Sequence, residues 1–312
     1  LTERLQRLAP AGTAVELAWN PEFLREGYAV EDTLAPDRLV LGVDPERPGR
    51  VEEVAREIYA QAIERGTPFI VTDLATAELV KVSANAFLAT KISFINAIAE
   101  VCEATGADVV QLADAIGYDE RIGRKFLGAG LGFGGGCLPK DIRAFMARAG
   151  ELGVDQALTF LREVDAVNLR RRERVVDLAH RELGGSVKGK VIAVLGAAFK
   201  PNSDDVRDSP ALDVAGRLHL SGANVRVYDP AANETAAAVW PTLTFAGSVL
   251  EACEGADLVI VATEWKEFRE ADPQAVGEVV AHRRVIDGRN CLDPDAWIAA
   301  GWAYRGMGRH AA

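Results

Sequence analysis

Residues 76–106, TAELVKVSANAFLATKISFINAIAEVCEATG, constrain the fold more than any other stretch of the chain. Apolar residues recur at three- and four-residue spacing throughout, no proline interrupts them, and Gly106 can end a helix in the left-handed conformation. The spacing predicts one helix over 76–106, well beyond the mean helix of about 11–12 residues. Leu79, Val80, Val82, Phe87, Leu88, Ile92, Phe94, Ile95, Ile98 and Val101 spread around much of its circumference. A surface helix shows one apolar stripe, so this one is expected to be buried on two sides, with a second copy of the chain on one of them.

On either side of this helix the sequence reads as α/β. Before it, AVELAW (14–19), RLVLGV (38–43) and TPFIVTD read as strands, and GRVEEVAREIYAQAIER reads as a helix. These strands are too few for an independent sheet, so the unit is incomplete. After it come three helical stretches, ADVVQLADAIGYD, DIRAFMARAGELG and LTFLREVDAVNLRRRERVVDLAHREL. A second α/β unit starts at Lys188. GKVIAVLG, ANVRVYDP, ADLVIVATEW and HRRVIDGRN read as strands, and DSPALDVAGRLHLSG as a helix capped by Asp208 or Ser209 with Pro210 near its start. The pattern resembles half of a doubly wound sheet. Its first turn, LGAAFKPNSDD, lacks G-x-G-x-x-G, which argues against a standard dinucleotide pyrophosphate site there.

The chain's 312 residues suit about two domains. A net charge of −11 argues against wholesale binding to a nucleic-acid backbone. Cys102, Cys137, Cys253 and Cys291 show neither close pairing nor metal-ligand spacing, and the four histidines are scattered, so neither a disulfide framework nor a metal site is expected. Reduced thiols and the lack of a signal peptide point to the cytoplasm, although a chain that starts at Leu1 leaves room for processing. No uncharged apolar run is expected to span a membrane.

Four groups of residues can carry chemistry. GFGGGCLPKD (132–141) places Cys137 behind glycines and just ahead of Pro139, which suits the first turn of a helix. A thiol at a helix start is in the setting of a nucleophile, with a merely packed cysteine in a glycine-rich turn as the alternative. Lys81 and Asn85 share one face of the long helix, with Asn96 and Glu100 near the same stripe. They suit stabilisation of an oxyanion, or else form a polar stripe on a packed helix. NPEFLREG offers Glu22 as a general base, or is a solvated turn. Lys200, Arg207 and Arg289 follow strands and suit a phosphate or nucleotide, or are ordinary surface charge.

Taken in order, NPEFLREG, ELVKVSANAFLATKISFINAIAEVCEATGADV, RIGRKFLGAGLGFGGGCLPKDIRAF, GAAFKPNSDDVRDSP and IDGRN resemble the nucleotide-sugar dehydrogenases, the family of UDP-glucose and GDP-mannose 6-dehydrogenases. The resemblance covers nearly the whole chain. It implies NAD-dependent four-electron oxidation of a UDP-glucose C6 alcohol to the carboxylate; the alternatives are GDP-mannose as substrate or a non-catalytic dimeric nucleotide-sugar-binding module. It makes Cys137 the nucleophile, Lys81 and Asn85 the oxyanion donors, and Asp141 and Glu22 the groups that handle water. It places Phe23, Leu24, Phe126, Leu127, Phe133, Gly134, Lys200 and Arg289 against the sugar nucleotide, and Arg121 across a homodimer interface. Glu26, Lys140 and Arg207 fall to NAD. The glycines are expected to let the loop approach the sugar. The implied organisation is a remnant of the Rossmann-like NAD domain at 1–75, a central helical dimerisation region at 76–182 and a Rossmann-like UDP-binding α/β domain at 183–312. Two departures stand out: most of the N-terminal NAD domain is expected to be missing, and GGGC replaces the commoner GGSC.

Overall fold

A computed structural model describes residues 2–46 and 49–309, which divide into two units at residue 85. In the first unit α1 (Thr2–Leu8), α2 (Ala29–Leu34), β1 (Leu39–Val43), α3 (Val51–Ile58), α4 (Ala60–Glu64) and β2 (Phe69–Asp73) lead into α5 (Leu74–Thr105). β1 and β2 pair in parallel, Leu39 opposite Phe69 and Val43 opposite Asp73. Leu41, Val43 and Ala55 form a small core with Ala18, Val51, Phe69 and Val71. Residues 14–19 are not a strand. A short 3-10 turn over Gly12–Ala14 precedes an extended segment whose backbone pairs with β1 at the Trp19–Gly42 bridge. The helix expected over 49–65 is broken at Tyr59, whose backbone leaves the helical region and whose hydroxyl donates to Asn20 Oδ1 at 2.6 Å.

In the second unit the rest of α5 is followed by α6 (Val109–Gly117), α7 (Leu138–Glu151) and α8 (Phe160–Glu182). α5 ends at Thr105, with Gly106 at φ +75°, and Asp108 caps α6 by accepting from the amides of Val110 and Gln111. Ala89, Ile95, Ala99 and Cys102 of α5 are buried, whereas Phe87, Phe94 and Val101, seven residues apart, are 65%, 51% and 55% exposed. By length and composition α5 could cross a bilayer, contrary to the expectation that no segment could. Its apolarity comes from a buried face and an exposed face on one long helix.

The rest of this unit is a six-stranded sheet. β3 (Val191–Leu195), β4 (Asn224–Tyr228), β5 (Thr244–Phe245), β6 (Leu258–Val261), β7 (Arg284–Asp287) and β8 (Ala303–Gly306) run in spatial order β5-β4-β3-β6-β7-β8 with every pair parallel. That is the complete doubly wound order, not half of it. β3, β6 and β7 lie deep between apolar layers, as their near-continuous runs of Val, Ile, Leu and Ala require. Helices α9 (Pro210–Leu220), α10 (Asn233–Val239), α11 (Val249–Cys253), α12 (Lys266–Arg269), α13 (Pro273–Val279) and α14 (Pro294–Ala299) complete the chain. Ser209 caps α9, accepting from the Leu212 amide while its hydroxyl donates to Ala197 O at 2.6 Å.

Candidate active site

In the first unit the NPEFLREG loop is fixed at its start by Asn20, which donates to Val40 O at 2.8 Å. The loop borders a cavity of about 250 Å³ lined by Glu22, Phe23, Leu24, Arg38 and Tyr59 among others. The Arg38 guanidinium lies 3.8 Å from the Phe23 ring centre. Lys81 Nζ stands 3.3 Å from Glu22 Oε1, and Glu22 Oε2 accepts from the Leu24 amide at 2.6 Å. Sequence reasoning named Glu22 and Lys81 for separate tasks, and the fold brings them together as an ion pair. Lys81 is three-quarters buried on its side chain, and Asn85 follows one turn later on α5. Glu26 is half-buried in the same loop.

In the second unit the glycine-rich segment is held from several sides. Gly130 N donates to Asn96 Oδ1 at 2.9 Å, and Arg171 Nε donates to Gly130 O at 3.2 Å. Leu131 N donates to Gly288 O at 3.0 Å. Arg289 Nη1 donates to Gly132 O at 2.9 Å. Phe133 exchanges two hydrogen bonds with the Asn168 amide, at 2.7 and 2.9 Å. Gly135 N donates to Arg207 O at 2.9 Å. The segment then delivers Cys137 as the exposed N-cap of α7, with Pro139 in the first turn.

Two of these glycines are closely pressed by protein neighbours. A Cβ on Gly135, which sits at φ +83°, would stand 2.8 Å from the Phe199 ring, and one on Gly134 would stand 2.7 Å from Pro210 Cδ. Phe199 belongs to the loop between β3 and α9, and Pro210 opens α9.

The remaining expected site residues fall out as follows. Leu127 and Phe133 are 2% and 6% exposed, and their side chains pack in separate cores. Phe126 is exposed at φ +66°. Arg121 is exposed and pairs with Asp119 at 2.6 Å, which holds the Asp119 carboxyl below the usual range. Lys140 and Asp141 pair with each other at 3.3 Å, with Asp141 mostly buried. Arg207 grips Asp205 through two nitrogens, at 2.9 and 2.7 Å. Lys200 lies 5.3 Å from the Phe199 ring centre. Arg289 is committed to the carbonyls of Gly132 and Ala262, and its buried Nη2 has no hydrogen-bond partner. Asp287 shapes the turn that carries Arg289. Its oxygens accept from the amides of Arg289 and Leu292 and from the Tyr304 hydroxyl, while burial pushes its carboxyl above the usual range.

Sequence reasoning missed Asn168, Arg171 and Arg172, which are 1%, 0% and 3% exposed. Asn168 and Arg172 stand four apart on α8, the same spacing that drew attention to Lys81 and Asn85.

The six-stranded sheet offers no dinucleotide cradle. The acid at the end of its second strand, Asp229, is buried and turned onto the first turn. Its Oδ2 accepts from Ala197 N at 2.8 Å, Ala198 N at 3.0 Å and Trp265 Nε1 at 3.0 Å. The amides that would face a pyrophosphate and the carboxylate that would face a ribose therefore satisfy each other.

Fold and site together define a Rossmann-type α/β protein that presents an exposed thiol at a helix start and, on a long helix, a semi-buried lysine paired with a glutamate. The chain belongs to the UDP-glucose/GDP-mannose dehydrogenase family: residues 2–63 match its NAD binding domain, 75–170 its central domain and 193–294 its UDP binding domain. All three domains are thus represented, the NAD binding domain by residues 2–63. The chain is 43% identical over 303 residues to UDP-glucose 6-dehydrogenase of Rickettsia felis, covering 96% of this chain and 66% of that protein. With the enzyme of the same name from Rickettsia typhi the identity is 42%, covering 96% and 69%. The chain thus spans about two thirds of the length of these relatives. Among solved structures, a UDP-glucose dehydrogenase from Pyrobaculum islandicum superposes with a TM-score of 0.84 at 37% identity, covering 96% of this chain and 65% of that one.

Proposed function

We propose that the protein takes part in the NAD-dependent oxidation of UDP-glucose to UDP-glucuronate, with Cys137 as the covalent nucleophile. The observation that carries this reading is the exposed Cys137 thiol at the N-cap of α7. An alcohol oxidised only to the aldehyde needs no such group, whereas oxidation to the acid gains from a covalent intermediate. Lys81 and Asn85 stabilise the oxyanion that develops at C6. The Cys137 sulfur adds to the aldehyde carbon to give a thiohemiacetal. Loss of a second hydride leaves a thioester, which water hydrolyses to the acid and the free thiol. Asp141, one turn into α7, and Glu22, beside Lys81, orient that water. Two molecules of NAD, bound in succession, would each accept one hydride. No G-x-G-x-x-G turn occurs in residues 1–75 and Asp229 fills the corresponding turn of the other sheet, so no residue of this chain is assigned to the pyrophosphate.

Phe126, Lys200 and the unpartnered Nη2 of Arg289 are the groups we assign to the sugar nucleotide. We further propose a homodimer through the exposed Phe87–Phe94–Val101 stripe of α5, with Arg121 reaching the neighbouring copy's site. A panel of UDP-glucose, UDP-N-acetyl sugars and GDP-mannose with NAD tests the substrate assignment. NADH formation with UDP-glucose alone is expected, and turnover of GDP-mannose in preference would overturn the assignment.

A further inference from the structure

We propose that Asn168 and Arg172 of α8 are positioning residues for Cys137, acting through the Phe133 peptide. The proposal rests on the reading of Cys137 as nucleophile. Three glycines, Gly134, Gly135 and Gly136, separate Phe133 from Cys137. Glycines cannot fix a conformation by themselves, so the place of the thiol depends on what anchors the segment.

Phe133 is its firmest anchor. Its N–H donates to Asn168 Oδ1 at 2.7 Å, and its carbonyl accepts from Asn168 Nδ2 at 2.9 Å and from Arg172 Nη2 at 3.2 Å. The same guanidinium reaches across to the loop before α9. Arg172 Nη1 donates to Asp208 Oδ1 at 2.8 Å and stands 3.5 Å from Asp213 Oδ2, and Nη2 also meets Asp208 O at 3.3 Å. That loop in turn holds Gly135 through the Arg207 carbonyl. One buried cation therefore ties both banks of the Cys137 segment to the middle of α8. Burying a guanidinium is costly, and an apolar pair would pack α8 more cheaply. What the polar pair supplies is a fixed direction for the Phe133 peptide, four residues ahead of the nucleophile.

The test uses Asn168→Ala and Arg172→Met, with Ser93→Ala as control. Ser93 Oγ donates to Val164 O at 2.7 Å, another buried bond between α5 and α8 that does not touch the segment. Iodoacetamide alkylation of Cys137 is followed by mass spectrometry well below each variant's Tm. Both clamp variants are expected to alkylate about threefold more slowly, as the thiol leaves the helix start. The control is expected to match wild type even though it too loses stability. With UDP-glucose and NAD, kcat should fall by up to about 100-fold, as for a misplaced reacting group, with KM little changed. Wild-type alkylation rates in both clamp variants would overturn the proposal. So would rapid exchange of the Phe133 amide in the wild-type protein, whether or not the variants fold. If the wild type does not turn UDP-glucose over at all, the functional reading fails, while alkylation and amide exchange still decide the clamp.

Discussion

Gly134 and Gly136 stand two residues apart in the same loop, yet adding one methyl group should have opposite consequences. A Cβ on Gly134 would lie 2.7 Å from Pro210 Cδ and closer still to the Asp208 carbonyl oxygen. Neither can yield. Pro210 is a ring in the first turn of α9, and Asp208 is a non-glycine residue at φ +46° held by Arg172. The backbone would have to part by roughly 1 Å in an interior with no slack. A Cβ on Gly136 would lie 2.5 Å from Arg207 Cζ, the far end of a flexible side chain that is 69% exposed. That neighbour can swing away. Gly134→Ala should therefore cost about 1–3 kcal/mol, as overpacking does. For a unit of this size that lowers Tm by about 2–12 °C. Gly136→Ala should stay within about 0.5 kcal/mol. Thermal unfolding followed by circular dichroism compares the two. Equal Tm values would refute the account of the loop as packed against the β3–α9 connection.

Lys81→Ala should lower kcat by about 10²–10³, the usual effect of removing one oxyanion donor; an unchanged kcat with a raised KM would make Lys81 a ground-state binding residue. At pH 8 alkylation followed by peptide mapping should modify Cys137 and spare Cys253, whose thiol burial pushes up to about 12 and so keeps protonated and unreactive across the neutral range. Sedimentation at micromolar concentration should show a dimer or larger species, and Phe94→Glu should shift it toward monomer, because Phe94 is in the middle of the exposed stripe of α5.

The sheet was legible where it is deeply buried. VIAVL, LVIV and RVID are short apolar runs with turn residues at their ends, and all three are strands. β5 has only Thr244 and Phe245, and β8 is AYRG with its arginine half exposed, so neither carries the pattern that would announce a strand. AVELAW failed in the other direction: its alternation is strand-like, but it finds only the single bridge at Trp19. At the site, Cys137 stood out because glycine and cysteine are rare in that combination. Asn168 and Arg172 did not, because NLRRRER reads as a solvated face, and only the fold shows that two of its arginines are buried against loop carbonyls. The Glu22–Lys81 pair joins residues fifty-nine positions apart, which spacing cannot reveal.

The central claim is that Cys137 carries the sugar between two oxidations. It is tested most directly by counting NADH against UDP-glucose in the presence of NAD and trapping the protein with hydroxylamine during turnover. The account predicts two NADH per sugar and a hydroxamate of the sugar acid released from Cys137. One NADH per sugar with free aldehyde, or acid formed at the normal rate by Cys137→Ser, would contradict it.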